Sequence, residues 1–303
     1  IWRSLNNGKP INYRFEQLGT QLSDASAVVT AIELNPKHGT GPLVKRVVEG
    51  TPNVLSIRSM DIYHGEHDFG DLSLLVSHQG FPRQIAEQRV ISSVGENTVK
   101  QILCVPYRGD DLITSITLSE WQKAPLGTWI MDDQNICADG IPDDLMREFL
   151  TQCSLRLATH PELRDAYEEK YDLKFWLLPA VVPDHLISTT PETFKPGKEW
   201  SRRGLLVGSV WSQKWFEMLS KATIDTDVVL DWYGNHQYDW LNMDPEAPNE
   251  LGINLCGLLP EVALVNKLKQ SAFIVVPTGT LDEEDDRKEL SQLSLPGRIL
   301  FVL

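Results

Sequence analysis

A chain of 303 residues exceeds what a single hydrophobic core usually serves, so two domains are expected. Its 42% hydrophobic and 23% charged residues fit a soluble globular protein, and no apolar run approaches the roughly 18 residues of a membrane span. The formal net charge of −14 is shared by both halves of the chain, which argues against nucleic acid as a partner because neither half could grip a phosphate backbone.

Short apolar runs alternate with helical patterns along the chain. ASAVVTAIEL (25–34) reads as a strand, and the glycine loop NPKHGTG (35–41) carries it into a helix with Pro42 near its first turn. DLSLLVSHQG (71–80) reads as a buried strand ending at His78. VKQILCVPY (99–107) is a further strand that ends near Arg108, and 110–124 follows with apolar residues at helical spacing. PLGTWIMDDQN (125–135) is an apolar strand closed by Asp132 and Asp133, and 154–179 reads as strand, helix, strand with His160-Pro161 opening the helix. Residues 180–203 are rich in Pro, Ser, Thr and charge and carry no period, so they read as a crossing between domains. Beyond them come a strand at 204–208, a helix at 212–222, strands at 227–235 and 253–259, a helix at 260–271 and a strand at 272–279.

Such alternation predicts parallel strands covered on both faces. The expected fold class is α/β, two Rossmann-like doubly wound domains facing across a cleft, the second incomplete. The expected boundaries are 1–182 for the first domain, 183–203 for the linker and 204–303 for the second. Ligands of such sheets bind at the carboxyl ends of the strands. In LLVGSVWSQKWFEML (205–219), Gly208 ends a strand without a Cβ and the next helix offers its free N–H groups to an anion, while Lys214 adds a mobile positive charge. A diphosphate suits that combination, although a plain strand–turn–helix with a solvated lysine would look the same.

This stretch resembles the segment that opens the C-terminal domain of retaining, nucleotide-sugar-using GT-B glycosyltransferases. Gly208 and Lys214 match that pattern, whereas Ser209 stands where an arginine or lysine is usual. VLDWYGN, INLCGLLPEVALVNKLKQSAFIVVPTG and the N-terminal segments 125–135 and 154–182 follow in that family's order, and the likeness runs over residues 25–303. The resemblance implies transfer of a sugar from a nucleotide-diphosphate donor to the hydroxyl of a glycan, lipid-linked or small-molecule acceptor, in the cytoplasm and as part of glycan biosynthesis. On the donor side it implies Gly39, Thr40, Gly41, Gly208, Ser209, Lys214, Gly234, Asn235, Glu261, Ser294 and Arg298. Asp132, Asp133, His38 and His78 would face the acceptor as candidate catalytic groups. Ser294 and Val302 take the places of the paired glutamates that often hold the donor, and Arg298 could serve a phosphate.

No cofactor is implied beyond the nucleotide-sugar co-substrate, and no metal is strictly required. DEEDD (282–286) reads as solvated loop, and DTD (225–227) precedes a strand where a metal motif would end one. Cys104, Cys137, Cys153 and Cys256 form no C-x-x-C pair and read as free buried thiols of a reducing compartment. Trp211, Trp215, Trp232 and Trp240 read as packing residues. Peripheral membrane contact and the oligomeric state stay open. The chain starts at Ile1 and stops in an apolar run, so a C-terminally truncated chain is expected. Two rival readings accompany glycosyl transfer: a nucleotide-sugar epimerase on the same fold, and a non-catalytic nucleotide-sugar-binding protein.

Overall fold

The computed structural model describes residues 21–31, 34–35, 40–60, 67, 69–187, 202–208, 210, 213–234, 251–277 and 293. Seven strands form the first sheet: β1 (Ala25–Thr30), β2 (Val54–Arg58), β3 (Leu72–Leu75), β4 (Val99–Val105), β5 (Leu126–Ile130), β6 (Leu155–Ala158) and β7 (Trp176–Leu177). They lie in the order β3-β2-β1-β4-β5-β6-β7, and every pairing is parallel. The connecting helices are α1 (Thr40–Val48), α2 (Arg83–Val94), α3 (Gly109–Gln122), α4 (Asp143–Gln152) and α5 (Pro161–Tyr171). A second, all-parallel sheet holds β8 (Arg203–Val207), β9 (Val229–Tyr233), β10 (Ile253–Gly257) and β11 (Ile274–Val275) in the order β10-β9-β8-β11. Its helices are α6 (Gln213–Thr226) and α7 (Glu261–Gln270).

The sequence of β1, Ala-Ser-Ala-Val-Val-Thr, shows why the first sheet is covered on both sides. All six residues are buried. Alternate side chains go to opposite faces. Ala25, Ala27 and Val29 join one core with Leu55, Ile57 and Ile102, whereas Val28 joins the other with Val54, Val105 and Trp129. Each wholly buried aliphatic side chain contributes roughly 1.5–3 kcal/mol, so the central strands dominate the stability of this unit. Trp129 fills the second core, and its indole N–H donates to the Leu178 carbonyl at 3.1 Å. In the second sheet Leu206, Trp215, Phe216, Trp232 and Ile253 make one core and Leu205, Val207 and Leu268 the other. Trp215 and Trp232 are therefore packing residues, as expected, while Trp211 and Trp240 lie outside the described residues.

The sequence expectations differ from the structure in a few places. Three elements escape them: β2, whose five residues sit between turn residues, and the helices α2 and α4. The strand expected to reach His78 ends at Leu75. Of the four free thiols, Cys104 and Cys153 are buried but Cys137 and Cys256 are exposed, so the expectation of buried thiols holds for half of them. Within the expected crossing, Asp184–Leu186 form one 3₁₀ turn, and 188–201 lie outside the described residues. Asp227 of the DTD run pairs with Arg202 at 2.6 Å, and the DEEDD run lies outside the described residues.

The two units touch. Arg46 on α1 forms an ion pair with Glu261, the first residue of α7, and also donates to the Val181 carbonyl at 2.6 Å. Leu293 is buried with the core of the first sheet. No helix among the described residues is long and apolar enough to cross a membrane.

Candidate functional site

Strand order decides where a doubly wound sheet can hold a ligand. β1 is flanked by β2 and β4, and β8 by β9 and β11, so the chain departs in opposite directions from each of these strands. That divergence opens a crevice at their carboxyl ends. The helices that follow, α1 and α6, have no acidic residue in the first turn. The same holds for α2, whereas α3 carries Asp110 and Asp111 there, α4 carries Asp143 and Asp144, α5 carries Glu162 and α7 carries Glu261. An acid would normally neutralise the partial positive charge of a helix start. At α6 the first turn holds an exposed lysine, Lys214, instead.

Glycines end β8, β9 and β10. Gly208 follows β8 at φ 88°, Gly234 follows β9, and Gly257 closes β10 at φ 72°. A Cβ on Gly234 would stand 2.7 Å from the Gly208 carbonyl oxygen, so only glycine lets these two ends approach. The Gly208 N–H donates to Tyr233 O at 2.8 Å, the Gly234 N–H to Gly257 O at 3.0 Å, and the Trp232 indole to Gly208 O at 2.6 Å. Gly208 was expected to end its strand without a Cβ ahead of an anion-binding helix start, and Gly234 to line the nucleotide side. Their N–H groups belong to the sheet, and what the glycines supply is an edge without side chains. Glu261, expected on the nucleotide side, is engaged by Arg46. Ser209, Asn235, Ser294 and Arg298 lie outside the described residues.

The carboxyl edge of the first sheet is built differently. Thr40 Oγ1 lies 2.5 Å from the Tyr107 hydroxyl, which in turn donates to Asp132 Oδ2 at 2.9 Å. Since the one Tyr107 proton goes to Asp132, the Thr40 hydroxyl donates to Tyr107. This chain ties the first turn of α1 to the ends of β4 and β5, and it commits the hydroxyl of Thr40, a residue expected on the donor side through its backbone N–H. Burial and then the Asp132 carboxylate raise the Tyr107 phenol well above its ordinary range, so it stays a donor. Asp132 is exposed and its Oδ1 accepts from no described residue. Gly41 serves its own loop: a Cβ there would stand 2.2 Å from the Asn35 carbonyl oxygen. His38 and Gly39 lie outside the described residues.

Two expected acceptor-side groups are occupied structurally. Asp133 is buried and accepts backbone N–H bonds from Asn135 (3.0 Å), Ile136 (2.8 Å), Cys137 (2.7 Å) and Ala138 (3.0 Å). It is the organiser of the loop after β5. His78 is buried, its ring Nε2 is 3.0 Å from Thr114 Oγ1, and its Nδ1 stands 3.7 Å from Asp110, beyond hydrogen-bond reach. Burial lowers its pKa, against the pull of Asp110, so the imidazole is neutral at neutral pH. It is packed against α3 and not presented to an acceptor.

Tyr107, Asp111 and His160 were not among the expected site residues. Each follows a strand end, so the rule that selected Asp132 would have selected them too. Asp111 is fully buried and accepts from the N–H groups of Tyr107 (2.9 Å) and Arg108 (3.0 Å) and from Ser59 Oγ (3.2 Å), which fixes the turn that carries Tyr107. A hollow of about 450 Å³ lined by Arg46, Thr51, Val54, Phe69 and Asp71 lies at the amino ends of β2 and β3, the opposite end of the sheet from these groups. Among the described residues, no cluster of three or more His, Cys, Asp or Glu could hold a metal ion.

Two parallel α/β units, each with a helix opening at the divergence point of its sheet, define the GT-B fold. Solved structures share it. The Anabaena protein Alr3699/HepE in complex with UDP and glucose is similar with a TM-score of 0.54 and 13% identity, over 80% of this chain and 72% of that one. UDP-N-acetylglucosamine 2-epimerase from Rickettsia bellii gives 0.52 and 11%, over 85% and 74%. The lipopolysaccharide outer core galactosyltransferase WaaB in its apo form gives 0.50 and 11%, over 83% and 73%. No protein-family model matches the chain, and no curated protein aligns significantly with it.

Proposed function

We propose that the chain is a glycosyltransferase that moves a sugar from a nucleoside-diphosphate sugar to an acceptor hydroxyl. One observation carries this reading: the side-chain-free edge Gly208–Gly234–Gly257 beside a helix start that holds Lys214 and no acid. An anion as bulky as a diphosphate needs that bare edge and that positive charge together. Two of the fold neighbours were solved with UDP or named as acting on a UDP-sugar, which supports a nucleotide sugar as the ligand.

In this reaction the bond from the anomeric carbon to the diphosphate oxygen breaks and its electron pair stays on the leaving diphosphate. The acceptor oxygen bonds the same carbon on the face the diphosphate leaves, and its proton passes to the departing diphosphate oxygen. Lys214 and the start of α6 act where the leaving group's charge appears, which lowers the barrier most. Asp132, oriented through Oδ2 by Tyr107, keeps Oδ1 for the acceptor hydroxyl. Retention at the anomeric carbon and a cytoplasmic place in glycan assembly belong to the same proposal, as does a domain crossing near 183–203.

The test is donor-dependent transfer or donor hydrolysis by Lys214→Ala. Loss of a contact made to the leaving group should lower kcat by about 10²–10³-fold. Activity within a few-fold of the parent would remove Lys214 from the site. A second reading has its own observation: the solved epimerase is as similar in fold as the others. Incubating nucleotide sugar without acceptor separates the two, since isomer formation would show epimerisation.

A further inference from the structure

His160 follows β6 and precedes α5, so it stands at the strand end next to that of β5 and Asp132. It is only 6% exposed, yet its ring Nε2 has no hydrogen-bond partner among the described residues. The other side of the ring is fully used. Nδ1 lies 3.0 Å from Thr159 Oγ1, and that hydroxyl donates to the Met131 carbonyl at 3.2 Å. Threonine has one hydroxyl proton, so both contacts are satisfied only if His160 carries its proton on Nδ1 and donates it to Thr159. Nε2 is then a bare lone pair. Burial lowers the pKa of the ring, against the pull of Glu162 and Asp132, which keeps it neutral.

Two acceptors at this edge therefore meet no donor among the described residues: the buried Nε2 of His160 and the exposed Oδ1 of Asp132. A buried polar atom without a partner is costly and normally finds one. Carboxyl groups outnumber cations in the surroundings, with Asp110, Asp111, Asp133 and Glu162 at the same sheet edge against Arg108 and Lys170, the latter held by Asp143 and the Asn135 carbonyl. We propose that His160 and Asp132 bind a neutral sugar or polyol through two of its hydroxyl groups, and that an anionic sugar is disfavoured there. This assignment rests on the glycosyl-transfer reading for its choice of ligand and names the acceptor as an uncharged glycoside.

Imidazole nitrogen NMR on the intact chain tests it without turnover. In the free protein at neutral pH the His160 Nε2 should show the signature of an unprotonated ring nitrogen. Methyl α-glucopyranoside, methyl α-galactopyranoside or methyl α-mannopyranoside should move that resonance, and the corresponding methyl uronide should bind at least about tenfold more weakly. His160→Asn keeps a donor to Thr159 and removes Nε2, so it should weaken glycoside binding about tenfold while leaving the urea midpoint unchanged. His160→Gln, with an acceptor oxygen near the lost nitrogen, should recover part of the affinity. A protonated Nε2, a resonance unmoved by every glycoside, or an Asn variant that loses stability but no affinity would each overturn the proposal. Titration with nucleoside diphosphates separates the two readings: glycoside binding through His160 without any nucleotide binding would leave this inference standing and remove the donor half of the proposed function.

Discussion

Asp133→Ala should cost about 4 kcal/mol of unfolding free energy: four hydrogen bonds to a charged acceptor at roughly 1.5–3 kcal/mol each set an upper bound, and water that replaces some of them lowers it. The carboxylate is 6% exposed and collects the N–H groups of residues 135–138, with the Tyr167 hydroxyl 3.5 Å away. Water could reach the exposed Cys137 amide but not the buried Asn135, so part of the loss has no replacement. Asp133→Asn keeps one oxygen and should lose about half as much. Urea unfolding at neutral pH measures both. A cost below about 1 kcal/mol for alanine would show that the loop holds itself and would return Asp133 to the list of acceptor-side candidates.

Asp111 gives the second large effect, and its sign runs against the usual carboxylate. Burial, outweighing its three hydrogen bonds, pushes its pKa up to about 7. In the unfolded chain it ionises near pH 4. Between those values the folded state holds a proton that the unfolded state has released. Stability from this group is therefore complete below about pH 4, falls as pH rises to about 7 and is lost above it, by up to about 4 kcal/mol. Asp111→Asn mimics the neutral form, since its oxygen can accept from Tyr107 and Arg108 while its amide donates to Ser59. The variant should match the parent at pH 4 and exceed its stability at pH 8. Parallel stability–pH curves would mean that Asp111 is ionised throughout.

The fold was legible because parallel strands buried on both faces announce themselves. The six buried residues of β1 and the run VKQILCV of β4 leave little else for those segments to be. β2 was not legible, since VLSIR is five residues long and its place in the sheet comes from pairing with β1 and β3. The site was legible by position and less so by role. Reading residues after strand ends put Asp132, Asp133, His78, Gly208 and Lys214 at the carboxyl edges of the two sheets, but Asp133 and His78 there serve the fold. Which carboxylate faces solvent and which ties down a loop depends on four backbone N–H groups whose convergence on Asp133 no residue pattern encodes. Tyr107 was hidden for the opposite reason. It sits at the tail of an apolar run and reads as core, yet its hydroxyl joins Thr40 to Asp132 across 67 and 25 positions of chain.

The most direct test of the central claim is a titration of the intact chain with ADP, GDP, UDP and CDP, followed by backbone amide chemical shifts. At least one of the four should bind, with the largest changes on Gly208, Gly234, Gly257 and the first turn of α6. Binding by none of them, or changes confined to the first sheet, would contradict the claim.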